Sequence, residues 1–336
     1  MNAAVQQTKK RDGSLDLMRG LAIMLVILFH ASTVLRADMD VPSWLQTFNA
    51  VFAPVRMPAM VFLSGLLVAP SIKKGTAPYL TGKARRILWP YVLWSVGFVV
   101  LLAVAAPEKY SLSRLVTVPI DPVEHLWFLY YLMGYYFVAL LTLRMRAEVI
   151  AGAFLVVNVI GSVTGLSDLQ IFGFLGCFFF MGVACSWHPE GLVFLLRQGW
   201  AAILGAACLI CMVALGLVAG EVRYFWYLAP FVFFLVVAGL RLARKLSPQR
   251  WTTPFKYLGV ESLVFYIAHY PVMIIVANLA KRASDNGPLL VIIVIAAGFL
   301  IPWGLSAVTR RVPVTRWIFE FHPSTARARS ASRLPS

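Results

Sequence analysis

Seven ionisable side chains lie within long apolar runs of the sequence, and they are its candidates for chemistry. Titratable and charged groups are costly inside hydrocarbon, so each is a functional candidate by default. Imidazole titrates near neutrality and can take a proton from a reacting group, whereas a guanidinium stays charged and binds anions. Histidines and arginines together therefore suit general base catalysis with stabilisation of developing negative charge. The seven are Asp16, Arg19, His30, Arg56, His125, Glu261 and His269.

Arg19 and His30 belong to the same apolar run, and their spacing places them on one face of a helix. Eleven residues advance an α-helix by about three turns plus about 20°, so the two side chains lie about 16 Å apart along the axis. Arg19 alone would be expected to extend its guanidinium to the membrane surface. The three-turn spacing to His30 favours a functional role instead, with a fixed cation at one end and a titratable base towards the other.

The remaining candidates differ in how strongly their positions indicate function. Arg56 lies well inside its apolar run, which favours function. His125 lies beside Trp127 and Tyr130, where an aromatic belt at the membrane surface is also expected, so its structural and functional interpretations stay equally open. A further group is expected to line a passage that runs from the cytoplasm towards the outside. Its members are Ser64, Glu261, Ser262, Tyr266 and His269.

The elements that must position these side chains are membrane helices. Of the 336 residues, 60% are hydrophobic and 13% are charged, and the mean hydropathy is +0.79. Soluble domains are typically about 25% charged. The apolar residues form runs near the roughly 20 residues that cross a bilayer. We predict an all-α, polytopic bundle of about ten transmembrane helices. The predicted spans are 15–35, 50–70, 86–106, 125–143, 147–165, 169–187, 200–220, 223–240, 257–280 and 288–308.

The net charge of +16 is explained by an excess of basic residues in the loops predicted to face the cytoplasm. With the amino terminus inside, most of the 30 Lys and Arg residues fall in predicted cytoplasmic segments. Cytoplasmic loops of membrane proteins carry such an excess. We therefore expect both termini in the cytoplasm, and the positive charge requires no nucleic-acid partner.

The predicted organisation is one transmembrane domain, 15–310, between a cytoplasmic tail, 1–14, and a basic, disordered cytoplasmic tail, 311–336. The polar stretches are too short for a separate soluble domain. All four cysteines lie in apolar runs, and the C-x-x-C pair at 208 and 211 has no polar groups around it, so packing is expected and no metal site is predicted. They are Cys177, Cys185, Cys208 and Cys211.

Four sequence motifs contain the histidines and arginines selected above. The first is LDLMRGLA at 15–22, with His30 following. The second is RMPAMVFLSG at 56–65, the third is HLWFL at 125–129, and the fourth is GVESLVFYIAHYP at 259–271. These motifs, in this order, resemble those of the acyltransferase-3 family of integral membrane acyltransferases. The second motif departs from the family pattern, with Met60-Val61-Phe62 in place of a Phe pair, which affects packing and not chemistry. The resemblance extends from residue 15 to about 310.

The resemblance implies an O-acyltransferase of the bacterial-type cytoplasmic (inner) membrane. It would move an acyl group, usually acetyl, from cytoplasmic acyl-CoA as co-substrate to a hydroxyl group of a surface or periplasmic carbohydrate. Membrane lipid, a lipid-linked glycan acceptor and polysaccharide assembly proteins are its expected partners. The sequence does not choose between a polysaccharide, a lipid-linked precursor, a periplasmic glucan and a small molecule as acceptor.

Roles for individual residues follow from that reaction. His30 is the expected general base, with acylation of His30 itself as the alternative route. Arg56 or His125 is expected to stabilise the oxyanion. Arg19 is expected at the mouth of the passage, where it would meet the anionic acyl-CoA. Either the basic cluster near 241–256 or three further cations near the inner face are expected to bind the acyl-CoA phosphates. The three cations are Lys83, Arg85 and Arg86.

Two other functions stay open on the sequence alone. Polar residues on membrane helices also mark the pathways of transporters and flippases, although no repeat relates the two halves of the chain. A purely structural partner in a polysaccharide assembly complex is the third possibility, and it predicts that His30 is replaceable.

Overall fold

The computed structural model describes residues 12–36, 39–105, 110–284 and 286–321, in which helices account for nearly all regular structure and no β-strand occurs. The α-helices in chain order are α1 Gly13–Arg36, α2 Ser43–Gly65, α3 Val68–Ile72, α4 Thr76–Lys83, α5 Trp89–Ala105, α6 Arg114–Thr117, α7 Trp127–Leu141, α8 Ala147–Thr164, α9 Ser167–Trp187, α10 Pro189–Arg197, α11 Gly199–Val218, α12 Ala229–Leu246, α13 Thr253–Val260, α14 Ser262–Lys281 and α15 Gly287–Arg311. The predicted all-α bundle is confirmed.

Nine helical segments within the described residues are long and apolar enough to cross a membrane, where ten spans were predicted. The remaining one is α7, whose 15 residues rise about 22 Å against a hydrocarbon thickness of about 30 Å. A 3₁₀ turn, Glu124–Leu126, precedes it. Glu124 has φ of 44°, which an α-helix does not allow, so the helix cannot extend further towards its amino terminus.

Two predicted spans have different bounds in the structure. The predicted span 257–280 is divided into α13 and α14 at Glu261, whose φ of −97° and ψ of 19° are not helical. The predicted span 86–106 belongs to a longer segment, Thr76–Val104, in which a π-helical turn, Ala84–Leu88, joins α4 to α5.

Pairs of glycines let neighbouring helices touch through their backbones. A Cβ on Gly20 of α1 would overlap the carbonyl oxygen of Phe255, and one on Gly259 of α13 would overlap that of Asp16. Gly65 of α2 and Gly182 of α9 are related in the same way. Membrane helices use small residues for such contacts. These contacts hold α1 against α13 and α2 against α9, and α1 and α2 carry Arg19, His30 and Arg56.

One end of the bundle, where α1 begins, is called the basic end. It carries Arg85, Arg86, Arg244 and Arg310. The predicted tails 1–14 and 311–336 lie largely outside the described residues, which start at 12 and stop at 321.

The first part of the predicted disordered tail is ordered in the structure. Indole N–H groups of Trp89 and Trp94 donate to carbonyl oxygens of Trp317 and Ile318. Phe319 stacks on Trp94 with ring centres 5.5 Å apart. Aromatic side chains after residue 311 therefore hold this segment against α5.

Candidate active site

Three histidines from separate parts of the chain meet inside the bundle. His30 lies on α1, His269 on α14, and His125 in the 3₁₀ turn before α7. The ring centres of His30 and His269 are 4.9 Å apart, those of His125 and His269 5.6 Å, and those of His30 and His125 6.4 Å. His269 and His125 are buried, whereas His30 is partly exposed. We call these three residues the histidine cluster.

Hydrogen bonds determine where the protons lie on neutral His269 and His30. Nδ1 of His269 lies 2.8 Å from the carbonyl oxygen of Phe265, which can only accept, so Nδ1 donates. Nε2 of His269 is then unprotonated, and it lies 3.0 Å from Nδ1 of His30. Nδ1 of His30 therefore carries a proton, which the carbonyl oxygen of Val26 at 3.0 Å also accepts. The lone pair of His30 is left on Nε2, where the ring can act as a base.

His125 also presents a lone pair in its neutral form. Its Nε2 lies 3.0 Å from the carbonyl oxygen of Ile267 and donates to it. Its Nδ1 is buried and has no hydrogen-bond partner among the described residues. An unpaired buried acceptor costs about 1–3 kcal/mol, so the position suits a group that donates to it, such as a hydroxyl. The hydroxyl group of Tyr266 donates to the carbonyl oxygen of His125 and holds the turn.

The ring nitrogens of the three histidines are directed at one another and at the backbone. Within the part of the chain that the structure describes, no group of three or more His, Cys, Asp or Glu side chains is arranged to hold a metal ion. Nε2 of His269 faces Nδ1 of His30, and Nε2 of His125 faces a backbone carbonyl. This arrangement suits proton transfer.

Arg56 lies next to the histidine cluster as a buried cation with a carboxylate partner. It is 2% exposed, and its guanidinium carbon lies 3.7 Å from the ring centre of Phe29. That ring packs edge-on against His30 with centres 5.1 Å apart. Arg56 donates to Oε1 of Glu221 at 3.1 Å, and Glu221 also pairs with Arg223 at 3.3 Å. The guanidinium is therefore fixed beside the cluster by a cation–π contact and an ion pair.

Lys83 and Ser64, predicted from separate motifs and loops, contact Tyr136 towards the basic end, and Arg19 lies within electrostatic range of the same tyrosine. Nζ of Lys83 lies 3.6 Å from the ring centre of Tyr136. The hydroxyl group of Tyr136 donates to the carbonyl oxygen of Ser64 at 3.3 Å and interacts electrostatically with Arg19. Arg19 pairs with Asp16 at 3.8 Å. We call Arg19, Ser64, Lys83 and Tyr136 the basic-end cluster.

Four other residues predicted to act at the basic end lie outside the basic-end cluster. They are the cations Arg85 and Arg86 and the passage residues Glu261 and Ser262. The carbonyl oxygen of Arg85 accepts from the backbone N–H of Phe321, and Arg86 pairs with Glu320 at 2.8 Å. These contacts place both arginines against the segment that follows α15.

Glu261 and Ser262 lie where α13 meets α14. Glu261 pairs with Arg310 at 3.8 Å, and Ser262 opens α14. Seven residues, about 10 Å along the helix, separate Ser262 from His269. Tyr266, between them, contacts His125 and therefore belongs to the surroundings of the histidine cluster.

Two residues of the site were missed in the sequence. The ring centre of Tyr270 lies 4.9 Å from that of His30 and 5.0 Å from that of His125. Tyr270 directly follows His269 in the fourth motif, and this position could have identified it as a site residue. Glu221 lies in the loop between α11 and α12, and no spacing in the sequence connects it to Arg56.

A comparison with family models agrees with the motifs. The model of the acyltransferase-3 family, described as an acyltransferase domain, matches residues 12–307. A search of curated proteins found no match, and a search of solved structures found none. The match covers most of the chain and includes all three members of the histidine cluster, Arg56 and the basic-end cluster. The chain belongs to the acyltransferase-3 family of membrane acyltransferases.

Proposed function

We propose that the protein transfers an acyl group, in the simplest case acetyl, from cytoplasmic acyl-CoA to a hydroxyl group of a cell-surface or periplasmic carbohydrate. The family supports acyl transfer in a membrane. The observation that carries the proposal is the histidine cluster, in which His269 accepts a hydrogen bond from Nδ1 of His30 and leaves Nε2 of His30 as a base.

The proposed reaction is a direct transfer. Nε2 of His30 takes the proton of the acceptor hydroxyl while the hydroxyl oxygen attacks the thioester carbonyl carbon. A C–O bond forms, and negative charge develops on the carbonyl oxygen. When the intermediate collapses, the C–S bond breaks and the proton passes from His30 to the departing thiolate, which leaves as the CoA thiol. The products are the ester and free CoA.

Arg56 is the favoured source of charge stabilisation for the oxyanion. It is a fixed, buried cation beside His30, and such a charge acts strongly where water is excluded. His125 would act as an oxyanion donor only with a protonated ring. In its neutral form it is better suited to accept a hydrogen bond from the acceptor hydroxyl and orient it.

The basic-end cluster is the proposed entry site for acyl-CoA. Lys83 lies over the ring of Tyr136 and Arg19 lies within electrostatic range of the same tyrosine, and phosphate groups bind cations of this kind. Arg85 and Arg86 lie in the π-helical turn that directly follows Lys83 and would extend the positive surface. In this proposal the basic end faces the cytoplasm of a bacterial-type cell, and the histidine cluster lies about 16 Å further along α1.

Transfer of radiolabelled acetyl from acetyl-CoA into glycan and lipid fractions tests the proposal. Membranes would carry the wild type, His30→Ala or the matched control His188→Ala, at equal protein levels. His188 is an exposed loop histidine paired with Glu190. We expect labelling by the wild type and the control, and none by His30→Ala.

Other results would change the proposal in specific ways. Labelling by His30→Ala at the wild-type level would remove His30 as the base. No labelling by any protein would contradict acetyl-CoA-dependent transfer and favour a transporter or flippase. Recovery of acetylated His30 after rapid quenching would replace direct transfer with a two-step route through an acyl-histidine.

A further inference from the structure

The loop between α11 and α12, residues 219–225, turns into the bundle instead of lying on its surface. Tyr224 of this loop is 3% exposed, and its ring lies 5.8 Å from that of Phe174 on α9. The φ of Tyr224 is 63°, in the left-handed region that is costly for a residue with a side chain. Such a conformation persists only where surrounding contacts hold it.

Two amide side chains hold the loop at Tyr224. Nδ2 of Asn158, on α8, donates to the carbonyl oxygens of Tyr224 and Gln170, each at 2.7 Å. Nε2 of Gln170, on α9, donates to the carbonyl oxygen of Tyr224 at 3.1 Å. Asn158 is completely buried. The backbone of the loop is therefore fixed to α8 and α9 from inside the bundle.

The fixed loop brings a carboxylate and a second arginine to Arg56. A single oxygen of Glu221, Oε1, lies 3.1 Å from Nη2 of Arg56 and 3.3 Å from Nη1 of Arg223. The guanidinium carbon of Arg223 lies 5.5 Å from the ring centre of Phe29, the ring that Arg56 also covers. The side chain of Arg223 is 40% exposed, whereas that of Arg56 is 3% exposed. A buried cation and an exposed cation thus share one carboxylate.

The orientation of the Arg56 guanidinium depends on Glu221. The other hydrogen bond that Arg56 donates, from Nη1 to the carbonyl oxygen of Asn49, is 3.5 Å long and therefore weak. The ring of Phe29 attracts both guanidinium groups, which repel each other. The carboxylate between them offsets that repulsion and makes the shorter hydrogen bond with Arg56.

We propose that Glu221 is a positioning residue for Arg56 and that the anchored loop 219–225 carries it into the active site. The inference rests on the proposed function, in which Arg56 stabilises the oxyanion. A charge that is held in place before the reaction does not have to reorganise when negative charge develops. Glu221 supplies this fixed orientation through Arg56 and does not contact the substrate.

Substitutions of Glu221 separate position from total charge. If only total charge mattered, Glu221→Ala would make the site more positive and raise kcat. Because orientation is the role proposed, we expect Glu221→Ala to lower kcat for acetyl transfer about tenfold, with an unchanged KM for acetyl-CoA. The amide oxygen of Glu221→Gln can still accept from Arg56, so this variant should retain more of kcat than Glu221→Ala.

A matched control removes a carboxylate that pairs with an arginine elsewhere. Glu148 pairs with Arg146 at 3.6 Å on the surface, and Glu148→Ala should stay within twofold of the wild type. A kcat of Glu221→Ala at or above the wild-type value would overturn the proposal. Equal losses in Glu221→Ala and Glu221→Gln would overturn it as well.

A substitution of the anchor tests whether the loop acts through Glu221. Asn158→Leu keeps the branched shape of the side chain but removes the donor to Tyr224. We expect it to lower kcat in the wild type and to cause no further loss in Glu221→Ala, because changes within one connected group are not additive. Losses that multiply in the double variant would contradict a role of the loop in holding Glu221.

A measurement without acetyl-CoA separates failure of this inference from failure of the proposed function. Thermal unfolding in detergent would compare Arg56→Ala, Glu221→Ala and the double variant. Each single variant leaves a charged partner behind, so the melting temperature of the double variant should fall by less than the sum of the two single shifts. Additive shifts would contradict the pairing of Glu221 with Arg56, whatever the activity. Non-additive shifts in a protein that transfers no acetyl group would support the pairing and contradict the proposed function.

Discussion

The histidine cluster and the basic-end cluster satisfy their polar groups in different ways. In the histidine cluster, imidazoles pair with each other and with backbone carbonyls, and lone pairs remain on His30 and His125. In the basic-end cluster, Lys83 lies over the ring of Tyr136, and Arg19 lies within electrostatic range of that tyrosine. The first arrangement can move a proton, whereas the second can hold an anion. Substitutions in the two clusters should therefore change different kinetic constants.

Apart from His30→Ala, which removes the proposed base, the largest fall in kcat is expected for His269→Ala. His269 is a positioning residue, because its Nε2, together with the carbonyl oxygen of Val26, holds the proton of His30 on Nδ1 and the ring in place. Misplacement of a base by about 1 Å can reduce a rate by up to about a hundredfold, so we expect kcat to fall between about tenfold and a hundredfold. The KM for acetyl-CoA should be unchanged. Steady-state kinetics of the purified protein measures both constants.

His269→Gln separates positioning from simple packing. A glutamine amide oxygen can accept the hydrogen bond from Nδ1 of His30, so this variant should recover part of the lost kcat. If His269→Gln and His269→Ala are equally impaired, the hydrogen bond between the two histidines is not the reason for the loss.

A smaller effect, on KM and not on kcat, is expected for Lys83→Ala. Loss of one cation from the proposed acyl-CoA entry site should raise the KM for acetyl-CoA by about tenfold, which corresponds to about 1.4 kcal/mol. Lys83→Arg keeps the charge and should stay near the wild type. Lys74→Ala, an exposed lysine outside the cluster, is the control. A fall in kcat with unchanged KM would place Lys83 in the chemistry and remove the distinction between the clusters.

The smallest effect on the rate is expected for Tyr266→Phe. The substitution leaves the buried carbonyl oxygen of His125 without its donor, which should lower the free energy of unfolding by about 1–3 kcal/mol. The rate should fall only a few-fold, because the ring of His125 keeps its bond to Ile267. Thermal unfolding in detergent measures the first effect. Tyr227→Phe, an exposed tyrosine, should show neither effect.

The helices and several residues of the two clusters could be predicted from the sequence, because membrane helices appear as long apolar runs. The apolar runs predicted the bundle, and the motif spacing selected His30, His125 and Arg56. The family match agrees with the motifs from which the resemblance was drawn. Arg19 and Lys83 were assigned to one binding role from their charge and expected side; in the structure Lys83 contacts Tyr136 and Arg19 lies within electrostatic range of it.

Contacts between distant helices were not readable from the sequence. The sequence predicted how deep His269 lies in the membrane but not which residue it contacts, so it was assigned to the passage. In the structure His269 forms a hydrogen bond with His30. Glu221 is one carboxylate in a loop, and only the fold brings it to Arg56. The ninth predicted span is interrupted at Glu261, two residues after Gly259, where α13 packs closely against α1. Each of these features follows from tertiary packing and leaves no local pattern.

The most direct test of the central claim is the acetyl-CoA concentration dependence of transfer by the wild type and His30→Ala. Removal of a general base typically reduces a rate by about 10²–10⁴-fold. We predict a loss of that size in kcat, with an unchanged KM for acetyl-CoA and no recovery at saturating acetyl-CoA. A His30→Ala enzyme that regains the wild-type rate at high acetyl-CoA would contradict the account, because His30 would then serve binding and not proton transfer.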